Sequence, residues 1–386
     1  TIAGTLFVRS LDPALRAQLG AEYTDPATIM RLVNPVVLDP LRAEWATIKA
    51  EIQVHLDKAQ AARSPAAATK GRHAAMELYQ GFLHRLQQFR VLDPACGSGN
   101  FLLLSLLGLK DLEHQVITEA EGMGLPRQFP MVGPENGLGI EINPFAAELA
   151  RVSLWIGEIQ WMLNHGFALS RSPILRNLDN IQLRDAILNP DGTEPEWHEA
   201  DAIVGNPPFL GGSKKRSVLG DNYFEQLANL YRGRVPAGAD LVTYWIEKAR
   251  GQIEAGKVRY AGLVATQSIR KGANRQVLDR LLQSANIFCA WSDEPWINEG
   301  ASVRVSLVAF SGKACTTPKL NGLAVEIIHA DLSGGTKDAS DLGQARPLVE
   351  NSIAFEGTKK YGDFDIPGQV EREWLILPQP PWEAKQ

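Results

Sequence analysis

Two hydrophobic rhythms alternate along the chain. Short apolar runs bounded by Gly, Pro, Asn or Asp read as buried strands, and longer stretches with apolar residues three and four apart read as helices. The plainest case is the stretch VLDPACGSGNF from Val91 to Phe101. Phe89, Val91 and Leu92 lead into it, Gly97 and Gly99 sit in its middle, and an apolar run from Phe101 to Leu107 leaves it. That pattern predicts a buried strand, a tight turn and a helix over residues 101–121 that starts under the turn. Further strands are predicted at 137–142, 181–188, 202–204, 260–266, 287–291 and 303–310. Helices are predicted from Asn143 and Pro144 onward, with Ala147, Ala150, Leu154, Ile156 and Trp161 on one face, and at 241–250 and 276–284. Strands alternating with helices in this way give an α/β sheet with helices on both faces.

Ahead of that region the pattern is helical. Thr24 or Asp25 can cap a helix with Pro26 early in it and Ile29, Met30, Leu32 and Val33 on its apolar side. Residues 44–90 carry Met76, Tyr79, Leu83 and Leu86 at helical offsets, and the basic, Ala-rich Arg63–Arg72 reads as a loop between two helices. Gly122–Asn136, rich in Gly and Pro, is a surface excursion. Beyond about Ala314 the rhythm weakens, and residues 331–386 show no core pattern.

Composition narrows the function. A protein that grips nucleic acid by itself usually carries a basic surplus, whereas this chain of 386 residues has a net charge of −5. Either the partner is not nucleic acid, or the basic surface is local, or the gripping part lies elsewhere. Cys96, Cys289 and Cys315 are far apart with no paired spacing, which argues against a zinc or disulfide framework and fits a reducing cytoplasm. No apolar run approaches a membrane span; the longest, Phe101–Leu109, is interrupted by Ser105. The chain opens with Thr1 and stops at Gln386 after a Pro-rich run, which reads as part of something longer.

In an open α/β sheet, ligands bind outside the carboxyl ends of the strands. Three predicted strand ends carry suggestive groups. The turn Asp93–Gly99 lets a backbone approach a ligand closely. Glu141 can accept both hydroxyls of a ribose, or it is a solvent-facing strand end followed by Asn143 as a helix cap. Asn206-Pro207-Pro208-Phe209 follows a strand directly. Its two prolines remove two N–H donors, so the loop offers carbonyls and one amide side chain. It is either a stiff exit from the strand or a holder for an exocyclic amine, with Phe209 free to stack on a planar ring.

Taken together, Asp93–Phe101 and Asn206–Phe209 resemble motifs I and IV of the S-adenosylmethionine-dependent adenine-N6 DNA methyltransferases, in the γ order. The longer strings AEYTDPATIMRLVNPVV, LDPACGSGNFLL, GIEINPFAAELARVSLW and IVGNPPFLGG resemble the MmeI-like group of restriction-modification and phage-defence methylases, from about Leu19 to about Ser311. The resemblance implies a Rossmann-like class I methyltransferase with a mostly parallel twisted sheet and an N-terminal helical region. The expected division is a helical region over 1–87 with a cofactor-closing motif, a catalytic domain over 88–315, and a linker over 316–386 that ends in the start of a truncated target-recognition region.

Residue by residue, the resemblance implies that Tyr23 and Thr24 close over the methionine end of the cofactor. Asp93, Ala95, Gly97 and Gly99 surround its amino acid moiety, with Asn100 and Phe101 supporting that wall. Glu141 holds the ribose, Ile142 lies beside the cofactor's adenine, and Asp185 matches the acidic position of the third motif. Asp240 and Leu241 resemble the motif that lines the pocket after the catalytic loop; otherwise Asp240 caps the helix that follows. Asn206 and Pro207 accept the two hydrogens of the target amine, which turns nitrogen toward a more nucleophilic form without a strong base, metal or covalent intermediate. The target adenine must leave the DNA duplex to reach them. Lys214, Lys215 and Arg216 form the basic cluster nearest the loop and read as phosphate contacts or as a solvated run.

The chain carries no upstream nuclease pattern, and its C-terminal region is too short for a full target-recognition domain. Sequence specificity is therefore expected from a domain or subunit outside this chain. Other readings stay open: an amino-methyltransferase acting on cytosine N4, RNA or a protein glutamine, or a non-catalytic subunit that binds DNA or a partner.

Overall fold

The structure is a computed structural model, and it describes residues 25–167, 179–298, 301–312 and 317–335. Asp25 caps the first described helix, its carboxylate accepting the Thr28 amide at 3.1 Å, and Pro26 opens α1 (Pro26–Val33). Pro35 has no amide to continue the α ladder, and a π turn over Asn34–Leu38 passes the chain into α2 (Asp39–Gln60). The loop expected at Arg63–Arg72 is far shorter. Helix α3 (Pro65–Gln88) starts at once after Ser64, whose hydroxyl accepts the Ala67 amide at 3.3 Å. A Ser cap followed by Pro and an Ala run is a strong helix start, and it outweighs the basic composition on which the loop was read.

The alternating part then follows: β1 (Val91–Asp93), α4 (Asn100–Gly122), β2 (Gly137–Glu141), α5 (Pro144–Asn164), β3 (Ile181–Leu183) and β4 (Ala202–Gly205). Two helices absent from the sequence reading, α6 (Lys215–Leu219) and α7 (Asp221–Leu230), precede α8 (Val242–Glu254), β5 (Tyr260–Thr266) and α9 (Gly272–Ser284). Strands β6 (Asn286–Asn298) and β7 (Ala301–Ser311) come next, then β8 (Lys319–Leu320) and β9 (Leu323–Ala324). Among the described residues these form one nine-stranded sheet in the order β3-β2-β1-β4-β5-β7-β6-β8-β9. Strands β1 to β5 run parallel, while β7 lies antiparallel between β5 and β6. Beside it, Ile327–Ile328 and Gly334–Gly335 pair as a small separate ribbon.

Successive side chains of each strand feed two different cores, as the pleat requires. Val91, Val204, Val264 and Leu307 pack with the N-terminal helices, α4 and α5 on one face. Leu92, Ile203, Leu263 and Val308 pack with α7, α8 and α9 on the other. The helices over residues 26–88 thus bury their apolar sides in the same core as the sheet. Strands β6 and β7 are longer than predicted: Asn298 pairs with Ala301, well past Thr266 where β5 ends. Pro295 lies inside β6 where β8, which pairs only at Cys289 and Ala290, no longer needs an amide. Among the described residues no helix is long and apolar enough to cross a membrane.

Candidate active site

Parallel neighbours deliver their loops to one rim. Strand β1 pairs with β4 through Val91–Ala202 and Leu92–Ile203, and with β2 through Asp93–Gly139. The segments that follow β1, β2, β3 and β4 therefore all start at the same edge of the sheet. Asp93, Ala95, Gly97, Gly99, Asn100 and Phe101 follow β1; Glu141 and Ile142 end β2; Asp185 follows β3; Asn206, Pro207, Pro208 and Phe209 follow β4. Tyr23 and Thr24 lie outside the described residues.

The first turn is held from both sides. Asp93 is buried at the end of β1, and its Oδ1 accepts the Ala95 amide at 3.1 Å. Cys96 N–H donates to the Ile140 carbonyl at 3.1 Å, which fastens the turn to β2. Gly97 and Gly99 have φ of +51° and +83°, a region costly for any side chain. At Gly99 a Cβ would also meet Ala150 of α5 at 3.1 Å. At Gly97 nothing lies within 4 Å of the place a Cβ would take, so the outer side of the turn is open there. Helix α4 starts at Asn100, and Phe101 is buried in the core behind it.

Glu141 does not point to solvent as a plain strand end would. Its Oε2 accepts the Gly97 amide and its Oε1 the Asn143 amide, both at 2.8 Å, so the carboxylate braces the glycine turn and still has lone pairs to offer. Asn143 caps α5 through the Phe145 and Ala146 amides at 2.9 and 3.2 Å, as the sequence suggested. Ile142 is exposed on the rim.

Burial pushes the Asp93 carboxyl up to about 8, and the neighbouring Glu141 charge adds to the shift. Burial also raises Glu141 and drives the Cys96 thiol well above its ordinary range. The buried Asp93 carboxyl beside an open turn is a site that a cation would complete. A positively charged ligand has the charge this donor set suits.

The second loop touches the first through a missing atom. A Cβ on Gly205, the last residue of β4, would stand 2.5 Å from Asp93 Oδ1 and 3.1 Å from its Cγ. The Asp93 carboxyl occupies that space, so the residue before Asn206 must be glycine. Sequence reasoning passed over Gly205; its signal was a glycine closing an apolar strand just before Asn-Pro-Pro. Gly205→Ala is expected to cost roughly 1–3 kcal/mol by overpacking. By displacing Asp93 it should also weaken cofactor affinity at least about tenfold, a step equivalent to about 1.4 kcal/mol. Denaturant melts and titration calorimetry on the variant would check both; an unchanged pair of values would show that the strand end has room to spare.

After Asn206 the prolines carry the chain to Phe209, half-buried against the core of the N-terminal helices, and then to Leu210. The Leu210 carbonyl accepts the Leu241 amide at 2.8 Å, and Gly212 N–H donates to Asp240 Oδ1 at 3.0 Å. Asp240 does not cap α8 with its side chain. Its Oδ2 accepts the hydroxyls of Thr266 (3.3 Å) and Ser268 (2.5 Å), while its backbone carbonyl takes the Thr243 amide at 3.1 Å.

Asp185 is committed to its own surroundings. Its Oδ1 accepts the Ile187 and Leu188 amides at 2.8 and 3.2 Å, and its Oδ2 accepts the Tyr223 hydroxyl at 2.7 Å. Burial, and after it the Asp185 carboxylate, raise the Tyr223 phenol. The basic triplet does not form one surface. Lys214 is exposed, but Lys215 is fully buried, its ammonium 3.4 Å from the Tyr244 hydroxyl and near the rings of Tyr244 and Phe224. Burial lowers the Lys215 ammonium to about 8. Arg216 is exposed and paired with Asp221 at 2.9 Å and Glu225 at 3.3 Å. Helices α6 and α7, invisible in the apolar rhythm, turn Lys215 inward toward α8, so of the three only Lys214 and Arg216 face solvent.

Five parallel strands with the glycine turn after β1, and an antiparallel β7 set between β5 and β6, define the Rossmann-like fold of class I methyltransferases. The model of the family described as MmeI, DNA-methyltransferase domain, matches residues 67–321, well over half the chain, and the chain belongs to that family. DNA methyltransferase A of Bacillus subtilis (strain 168) is 24% identical over 330 residues, which take in 83% of this chain and 34% of that protein. The type IIL restriction-modification enzyme MmeI in complex with DNA superposes with a TM-score of 0.66 at 25% identity, covering 87% of this chain and 44% of that one. The chain thus spans about a third of one relative and less than half of the other.

Proposed function

We propose that this chain is the catalytic part of a DNA methyltransferase of a restriction-modification or phage-defence system, and that it moves the methyl group of S-adenosylmethionine to the N6 amine of adenine. One observation carries the reading: the open glycine turn after β1 and the Asn206–Phe209 loop after β4 leave adjacent parallel strands, with the Asp93 carboxyl packed into the gap at Gly205. Family membership supplies the reaction class.

Asp93 and the open side of the turn at Gly97 would hold the amino acid end of the cofactor, Glu141 its ribose hydroxyls, and Ile142 one face of its adenine. When bound, the cofactor supplies an electrophilic methyl on sulfur. The chain's own part is to hold the acceptor. The Asn206 side-chain oxygen and the Pro207 carbonyl would accept the two hydrogens of the amine, and this shifts electron density from the ring back onto nitrogen. Phe209 would stack on the extruded base. Proline at 207 and 208 removes two backbone N–H donors from this loop, so its backbone there offers only acceptors, which suits an amine. Alignment is the larger part of such catalysis, and the one proton that the nitrogen sheds on methylation would pass to water.

Lys214 and Arg216, exposed and a few residues after this loop in sequence, would meet phosphate. The negative net charge fits a specificity element supplied by another domain or subunit. The test is to incubate the chain with methyl-labelled cofactor and unmethylated duplex DNA, then digest to nucleosides. Label in N6-methyladenine is the expected result. Label in N4-methylcytosine would move the activity to the other exocyclic amine, and a protein that binds DNA without label in either nucleoside would favour the non-catalytic reading.

A further inference from the structure

We propose that the start of α8 is a bracket that sets the distance between the cofactor turn and the acceptor loop, with Asp240 and Trp245 as its positioning residues. The inference rests on the methyl-transfer reading above and adds to it a device that neither motif contains.

The bracket reaches both loops from one short piece of helix. Trp245 is buried, and its indole N–H donates to the carbonyl of Pro94, inside the cofactor turn, at 2.9 Å. Four residues earlier, Leu241 N–H holds the Leu210 carbonyl at 2.8 Å, just after Phe209. Asp240 takes the Gly212 amide at 3.0 Å. Residues 94 and 210–212 are thus tied to a rigid helical segment, not merely to each other.

Asp240 is itself held. Its amide donates to Asn274 Oδ1 at 2.6 Å, and Asn274 Nδ2 donates to Ser268 Oγ at 3.1 Å. Ser268 Oγ in turn donates to Asp240 Oδ2 at 2.5 Å. This ring of bonds joins the end of β5 and the start of α9 to the loop. Behind it, buried Lys215 packs its ammonium over the Tyr244 ring at 4.9 Å, fastening the loop's far end to the same helix.

Two simpler accounts do not fit. A helix cap would use its carboxylate on the first helical amides, and Asp240 spends both oxygens elsewhere. A buried indole needs some acceptor, but its acceptor here belongs to the cofactor turn, 151 positions away in sequence. In-line transfer is sensitive to displacement, and a shift of about 1 Å can cost about 100-fold in rate.

The experiment uses the full chain with Trp245→Phe, Asp240→Asn and, as a milder change that leaves both loops untouched, Ser268→Ala. Steady-state methylation gives kcat and both KM values, and hydrogen exchange reads the amides of residues 95–97 and 210–213. The expected result for the first two variants is a kcat lower by about 10–100-fold, the rate change a displacement of this kind produces. KM for cofactor and DNA should stay close to the parent, and exchange should rise only at 210–213 in Asp240→Asn and only at 95–97 in Trp245→Phe, with Ser268→Ala giving a smaller rise at 210–213. Unchanged kcat and exchange would overturn the bracket. So would loss of kcat and KM together with faster exchange across the whole sheet, since that is a purely structural role. A parent chain that methylates no base would sink the functional reading instead, and the exchange pattern would then decide the bracket by itself.

Discussion

Asn206→Ala is expected to lower the rate of methyl transfer by at least roughly 10²–10³-fold, the usual cost of removing one preorganised hydrogen-bonding group from a reacting centre. Affinity for the cofactor should stay within a few-fold, because the carboxyl groups and the glycine turn after β1 and β2 are untouched. The physical reason lies in the amine. Its lone pair is delocalised into the ring, and without the side-chain oxygen only one of its two hydrogens has an acceptor in the loop. Nothing else on β4 replaces the lost group: Pro207 and Pro208 contribute carbonyls at fixed positions, and their rings forbid the loop from closing up around the gap. Single-turnover measurements with saturating labelled cofactor isolate this step from binding and product release. A rate within tenfold of the parent would mean that the amine is held by other groups, and the Asn-Pro-Pro-Phe loop would revert to a stiff strand exit.

The second large effect belongs to Asp93. Its carboxyl sits near 8 because of burial and the Glu141 charge, against an ordinary 3.8. The native state without cofactor therefore keeps a proton that the unfolded chain has already lost between those values. Stability from this group is full below the unfolded value and is lost as pH rises through about 8. Melting temperature without cofactor should fall over that window, and Asp93→Asn should flatten the fall. Cofactor binding runs the other way. A cation favours the carboxylate, so binding at neutral pH should release close to one proton, and affinity should tighten as pH climbs toward 8, by up to about tenfold per unit. Asp93→Asn keeps the oxygen that accepts the Ala95 amide but gives up the charge. The expected outcome is a loss of affinity of about 100-fold or more, in keeping with the roughly 3 kcal/mol worth of a charge-assisted contact in a buried site. Calorimetry in buffers of different ionisation enthalpy reads the proton release directly. If the parent released none, and the variant bound equally well, the cofactor would have to sit elsewhere on the rim.

The two predictions bear on each other through Gly205. The Asp93 carboxyl fills the volume beside the residue that precedes Asn206. Ionisation of Asp93 on cofactor binding, as proposed, would take place in contact with the strand end that carries the Asn206 loop. Changes at one loop should be felt at the other, and the Asp93 and Asn206 variants should not combine additively.

By itself the sequence determined whatever is decided within a turn or two of chain. The strand, glycine turn and helix over residues 91–122, the Asp25 and Asn143 caps, and strands β2, β4 and β5 were all legible, because apolar spacing, capping oxygens and positive φ are local properties. The same local reading misjudged Arg63–Arg72, where cap and composition disagreed, and stopped β6 and β7 too soon. Only the tertiary structure decided which loops meet. Nothing near Val91 says that β4, more than a hundred residues on, is its neighbour. Nothing near Lys215 says that its charge is buried against Tyr244, and nothing in Trp245 names Pro94 as its acceptor. Those contacts follow from strand order and helix placement, which the chain fixes through the packing of both cores at once, and that cooperative sum has no signature in any short window of residues.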